Sequence, residues 1–150
     1  MLSMPAFAGG QTGQEKLDAA ALKSMIDGLG YTVKILNSET GKEKYEIAFS
    51  KHDLDIPVAL EISASKNYVW LTVFLGPAPK APSDKFETLL KENFNCQPSF
   101  FYITTKGNLM MGIPMENRYI SPANMKRNIE KLSDDVGKTK AIWLEQTDNR

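Results

Sequence analysis

His52-Asp53-Leu54-Asp55 is the one place in this 150-residue chain where an imidazole and carboxylates cluster. Histidine and aspartate are natural metal ligands and proton carriers, so the cluster could hold a cation or serve acid/base chemistry in a metal-assisted hydrolase. It offers three donors within four residues, with no second cluster evident to complete a shell. Aspartate also favours turns for its local backbone hydrogen bonds, and a solvated turn is the stronger reading. Val136-Gly137-Lys138-Thr139 ends like a phosphate-binding loop. That loop needs an earlier glycine where Leu132 stands, and a strand where the pattern is helical. The phosphate reading is rejected. Cys96 is the only cysteine, which excludes an intrachain disulfide framework and a multi-cysteine zinc site. It reads as a small half-buried hydrophobe beside a turn. With one histidine and no nucleophile in a recognisable elbow, no catalytic residue, metal site or cofactor is assigned. The chain is expected not to be an enzyme.

Lys66-Asn67-Tyr68-Val69-Trp70-Leu71 loosely resembles an RNA-recognition strand, in which aromatics on one face stack on bases. Asn67 and Val69 stand where small residues belong, and Val73 replaces an aromatic. Eighteen basic against eighteen acidic side chains leave no net charge to attract a polyanion. No nucleic-acid partner is expected. No run of roughly eighteen apolar residues exists, so no transmembrane segment is expected either.

The strand that carries those aromatics organises the rest. Tyr68 to Leu75 is apolar on both faces: Val69, Leu71, Val73 and Leu75 point one way, and Tyr68, Trp70, Thr72 and Phe74 the other. A strand with one wet face should alternate, so this one reads as central, with helices on one side and a partner on the other. Before it, Thr12-x-x-Glu15 has capping-box spacing, and Leu17, Ala21, Leu22, Met25, Ile26 and Leu29 follow at helical spacing up to Gly30. Tyr31 is placed to fold back on Ile26. Val33 and Ile35 mark a short strand, Gly41 a turn, and Tyr45, Ile47 and Phe49 a half-buried strand. Ser50 to Asp55 is a polar connection, and Pro57 starts the strand of Val58, Leu60 and Ile62. After the prolines of Gly76 to Pro82, Ser83 caps a helix with Phe86, Leu89, Leu90 and Phe94 along one face. Phe100 to Thr105 and Leu109 to Met115 form a hairpin around Gly107. Ser121, Pro122 and an Ile120–Met125 staple open a last helix carrying Met125, Ile129, Leu132 and Val136, which Gly137 ends or bends. Ala141 to Leu144 is an apolar patch that must dock somewhere.

The sum is an α+β protein: an antiparallel sheet of five to six strands with three helices, in the order α-β-β-β-β-α-β-β-α. Residues 15–145 read as a single domain between tails at 1–14 and 146–150. Ala6-Phe7-Ala8 looks like the end of an export signal, but the basic and apolar stretches that should precede it are missing. As written the chain reads as cytoplasmic; a start inside a longer export signal would make it periplasmic or secreted.

LDAAALKSMIDGLGY, a meander ending in VWLTVFLG, FETLLKENF, a hairpin and SPANMKRNIEKL together resemble the YbjN-type domains, which are similar in fold to class I type III secretion chaperones. The resemblance spans about residues 15 to 136. It implies a small bacterial homodimer that binds other proteins or peptides and brings no catalytic motif. The proline-rich crossover at Gly76 to Pro82 is longer than that family leads one to expect.

Three amphipathic helices cover about one face of such a sheet, which leaves Tyr68, Trp70, Phe74 and Phe101 in need of a partner. Met110, Met111, Met115 and Met125 cluster around the last hairpin and helix and read first as core filling. As the alternative, an adaptable groove for a partner segment, Met111 and Met115 join the aromatics as candidate partner-binding residues. The expected function is protein or peptide binding by a homodimer. The alternative is a small apolar ligand or lipid carrier using the same face.

Overall fold

The computed structural model describes residues 16–80 and 83–144. Helix α1 (Ala19–Gly28) is capped by Asp18, whose Oδ1 accepts from Ala21 N at 2.8 Å. The capping box expected at Thr12 and Glu15 lies outside the described residues. Gly30 takes φ +86°, the left-handed backbone that closes the helix, and the ring of Tyr31 meets Phe49 at 5.0 Å. Strands β1 (Lys34–Asn37), β2 (Lys44–Lys51), β3 (Leu54–Ile62) and β4 (Tyr68–Pro77) form a meander. Helix α2 (Asp84–Cys96) follows with Ser83 as its cap, then β5 (Phe100–Ile103), β6 (Asn108–Glu116), α3 (Pro122–Lys138) and a short α4 (Lys140–Leu144). The six strands make one antiparallel sheet in the order β1-β2-β3-β4-β6-β5, which puts β4 in its interior as expected. The apolar patch at 141–144 is this fourth helix. It docks through buried Trp143, whose Nε1 donates to Val136 O at 2.8 Å.

The register explains the two faces. Leu71 pairs with Leu60 and Ile113, Val69 with Ile62 and Met115, and Val73 with Met111, so one face is a continuous apolar layer. Leu22 and Ile26 of α1 and Met125, Ile129, Leu132 and Val136 of α3 are buried with it in one core. Each such side chain contributes roughly 1.5–3 kcal/mol on burial. The Ser121 cap adds only about 1 kcal/mol, so packing and not capping sets where α3 lies.

Two local expectations are corrected. Ser50 to Asp55 is no long connection: β2 and β3 meet at a two-residue turn in which His52 and Asp53 take φ +53° and +57°. This mirror-image turn matches strand twist, and aspartate tolerates the left-handed region well. Pro57 therefore lies inside β3, opposite Ala48. It lies outside the β3–β4 pairing, which covers Ala59 to Ile62, so its missing N–H breaks no bond between those strands.

Helix α3 ends one residue past Gly137, at Lys138, with Thr139 as its C-cap. A Cβ at Gly137 would lie 2.2 Å from Cδ2 and 2.9 Å from Cβ of His52, so the glycine is where the β2–β3 turn rests on the helix. Gly137→Ala should lower stability by about 1–2 kcal/mol, because overpacking of about 1–3 kcal/mol outweighs a helix-propensity gain of about 1 kcal/mol. With His52→Gly in the background the same change should stabilise. Urea midpoints of the four variants check the sign reversal.

Candidate protein-binding face

His52 and its neighbours do not converge. His52 Nε2 lies 3.3 Å from Asp134 Oδ1, Lys51 Nζ reaches the same carboxylate at 2.6 Å, and Asp55 accepts from Ser50 Oγ at 2.7 Å. Lys51, then His52, hold the Asp134 carboxyl below the usual carboxylate range. Lys51 and His52 thus clasp the β2–β3 turn to α3, while Asp55 bonds within the hairpin. Among the described residues no group of three or more His, Cys, Asp or Glu could hold a metal ion. Cys96 is more enclosed than expected, buried at the end of α2, and burial pushes its thiol up to about 11. Such a thiol is a poor nucleophile at neutral pH.

Three buried polar residues had no signal in the sequence. Asn117 Oδ1 accepts from Leu17 N at 3.0 Å, while its Nδ2 donates to Leu17 O and Lys66 O at 3.0 and 3.1 Å. It ties the approach to α1 onto the β3–β4 turn. Asp135 accepts from Ser99 Oγ at 2.7 Å and pairs with Lys131, whose Nζ also donates to Cys96 O at 2.9 Å. That network joins α3 to the end of α2.

The face of the sheet opposite the core carries Tyr68, Trp70, Thr72 and Phe74 from β4, with Met110, Gly112 and Pro114 from β6 beside them. Phe100 pairs with Gly112 and Tyr102 with Met110, so these two aromatics join the same face. Among the described residues no helix covers it. Trp70 and Phe100 meet edge to face at 6.2 Å, and Phe100 and Tyr102 lie 5.6 Å apart. The Tyr102 ring spreads over Gly112, where a Cβ would stand 3.2 Å from its Cε1; a side chain at that position would lift the ring. Burial first, and then the Glu61 carboxylate, raise the Tyr102 phenol above its ordinary value. The cluster seals Thr72 beneath it but leaves Tyr68 46% and Phe74 56% exposed. Trp70 is half-buried. Across β1, β2 and β3 the face turns charged, with Lys34–Glu46 and Lys44–Glu61 pairs at 3.5 and 3.4 Å. An aromatic centre beside a polar flank is the usual anatomy of a protein interface.

Of the six candidate partner residues, Tyr68, Trp70 and Phe74 lie together on this face. Phe101, Met111 and Met115 do not. Phe101 pairs with Met111, Met111 with Val73, and Met115 with Val69, so all three point into the helix-covered core and are buried. In this conformation none of the three belongs to the open face. Phe100, Tyr102, Met110 and Pro114 take their place on the open face. Helix α2 also departs from expectation: Leu89 is buried, but Leu90 is 69% and Phe94 80% exposed. With Ile103 they form a second apolar rim, beside a groove of about 300 Å³ lined by Phe86, Leu89, Leu90, Phe101 and Leu109.

No family model matches the chain, and no curated protein matches it by sequence. A chain in the solved "Structure of the HopA1-SchA Chaperone-Effector Complex" is similar, with a TM-score of 0.55 and 15% identity over 83% of this chain and 90% of that one. At that identity the likeness is one of fold: this chain shares the α+β architecture of that one.

Proposed function

We propose that this chain is a non-enzymatic protein- or peptide-binding module that acts as a homodimer, in the manner of the YbjN-type and type III secretion chaperone-like domains its element order resembles. The observation that carries the proposal is the uncovered sheet face, where Trp70, Phe74 and Tyr68 of β4 and Phe100 and Tyr102 of β5 gather on either side of β6. Exposed aromatics of this kind are enriched where proteins meet and are costly to leave in water. A two-fold contact through this face would bury both copies' aromatics at once. A fold shared with a chain from a chaperone–effector complex supports the same class of work.

Sedimentation equilibrium on the purified protein tests the homodimer. The proposal expects a dimer at tens of micromolar; a strict monomer there removes it. Mass spectrometry of gently purified protein separates the carrier alternative, which requires a stoichiometric small apolar ligand on the same face.

A further inference from the structure

The order β1-β2-β3-β4-β6-β5 makes β5 an edge strand. Thr104 N donates to Asn108 O at 2.9 Å, so Tyr102 and Phe100, two and four residues before it, also turn their N–H and C=O toward β6. Phe101 and Ile103 turn theirs outward. Outward backbone groups on an apolar edge are a template for another strand. At Phe101 they are taken: Phe101 N donates to Asn93 Oδ1 at 2.6 Å, and Asn93 Nδ2 donates to Phe101 O at 3.3 Å. One carboxamide from α2 makes both bonds that a neighbouring strand would make. Asparagine is a poor residue for a helix interior, so the demands of α2 itself do not explain it.

We infer that Asn93 is a plug that closes the β5 edge, and that what it keeps out is β5 of a second copy. Composition and symmetry point to that occupant. Phe100–Ile103 is short, aromatic and β-branched, and an antiparallel pair of β5 strands about a two-fold axis would bring both copies' Ile103, Leu90 and Phe94 to one seam. If the sheet face already joins two copies, a second two-fold contact through β5 would extend the assembly into an open chain. The plug holds assembly at a closed state. The edge is shut whether the parent protein is a monomer or a dimer, so the inference stands apart from the proposed function.

Asn93→Ala tests it by hydrogen exchange and sedimentation. The Phe101 amide should exchange at least about tenfold faster than in the parent, with little change at Tyr102, whose N–H faces β6. The weight-average mass at tens of micromolar should rise above the parent's. Adding Ile103→Lys, a charge on the exposed edge, should return the mass to the parent's value while Phe101 still exchanges quickly. Asn93→Asp, which keeps the shape but sets a carboxylate against Phe101 O, should act in the same direction. A folded Asn93→Ala protein with parental sedimentation overturns the plug, and association that Ile103→Lys does not reverse overturns β5 as the occupant. Should neither Asn93 variant fold, the parent's own Phe101 amide decides. Exchange as fast as an unprotected edge amide contradicts the inference, and protection supports it.

Discussion

Tyr68→Lys combined with Phe74→Glu should weaken self-association at least about 100-fold, equivalent to about 2.7 kcal/mol, and leave the fold intact. Tyr68 and Phe74 sit at the two ends of the β4 aromatic row and are exposed, so folding does not need them. Changes at exposed positions generally cost within about 0.5 kcal/mol of stability. In an interface the same residues would be anchors, for which truncation typically costs about 2 kcal/mol or more. Two anchors could remove about 4 kcal/mol, but such losses do not add, which is why the expectation stays near 100-fold. Trp70 is left untouched because it packs on Phe100, and its loss would disturb the face as well as any contact. Phe94→Lys, on the outer side of α2, is the internal comparison. It should not change the dimer; if it dissolves the dimer and the β4 pair does not, the interface lies on α2 and the assignment to the sheet is wrong.

Asp135→Ala should cost about 3 kcal/mol of folding stability, more than any change on the aromatic face. Asp135 and Ser99 are both buried, and the carboxylate is the acceptor for the Ser99 hydroxyl and the counter-charge for Lys131. Its removal leaves a buried donor unpaired and strips Lys131 of its partner. The Lys131 side chain is 36% exposed and can still find water, which keeps the loss below that of a fully enclosed pair. The effect should extend to α2, because Lys131 also holds the Cys96 carbonyl at that helix's end. Urea unfolding would show a lower midpoint with an unchanged slope. A loss below about 1 kcal/mol would mean that the network is dispensable.

These two sites differ in how far the sequence announced them. The β4 aromatics were legible because Tyr68 to Leu75 carries apolar residues at both parities, and strand alternation alone then requires two apolar surroundings. The caps and staple of α3 were legible for the same reason: Ser121, Pro122, Ile120 and Met125 act within one turn. Register was not legible. Whether Phe100 or Phe101 faces the helices depends on pairing with Gly112 and Met111 across the hairpin, and on the β4–β6 alignment with its bulge between Phe74 and Gly76. A slip of one residue exchanges the faces, and the sequence reading placed Phe101, Met111 and Met115 on the wrong one.

On α2, periodicity found the apolar stripe but could not show how much of it the core covers. Leu90 and Phe94 thus changed from core candidates to surface. Asn93, Asn117 and Asp135 act on residues brought near by the fold, and an isolated polar residue carries no periodic signal to betray that. Gly137 is similar: its neighbour is His52, reached only through the tertiary fold.

Site-specific photocrosslinking from position 74 asks most directly whether the aromatic face is a contact surface. Phe74 is replaced by benzoylphenylalanine in the purified protein at tens of micromolar, with Lys106 in the β5–β6 turn as the comparison position. A species of twice the chain mass should form from position 74 and not from 106, joined to the β4, β5 or β6 open face of a second copy. If position 74 gives no more crosslink than position 106, the face is bare in solution and the homodimer through it is contradicted.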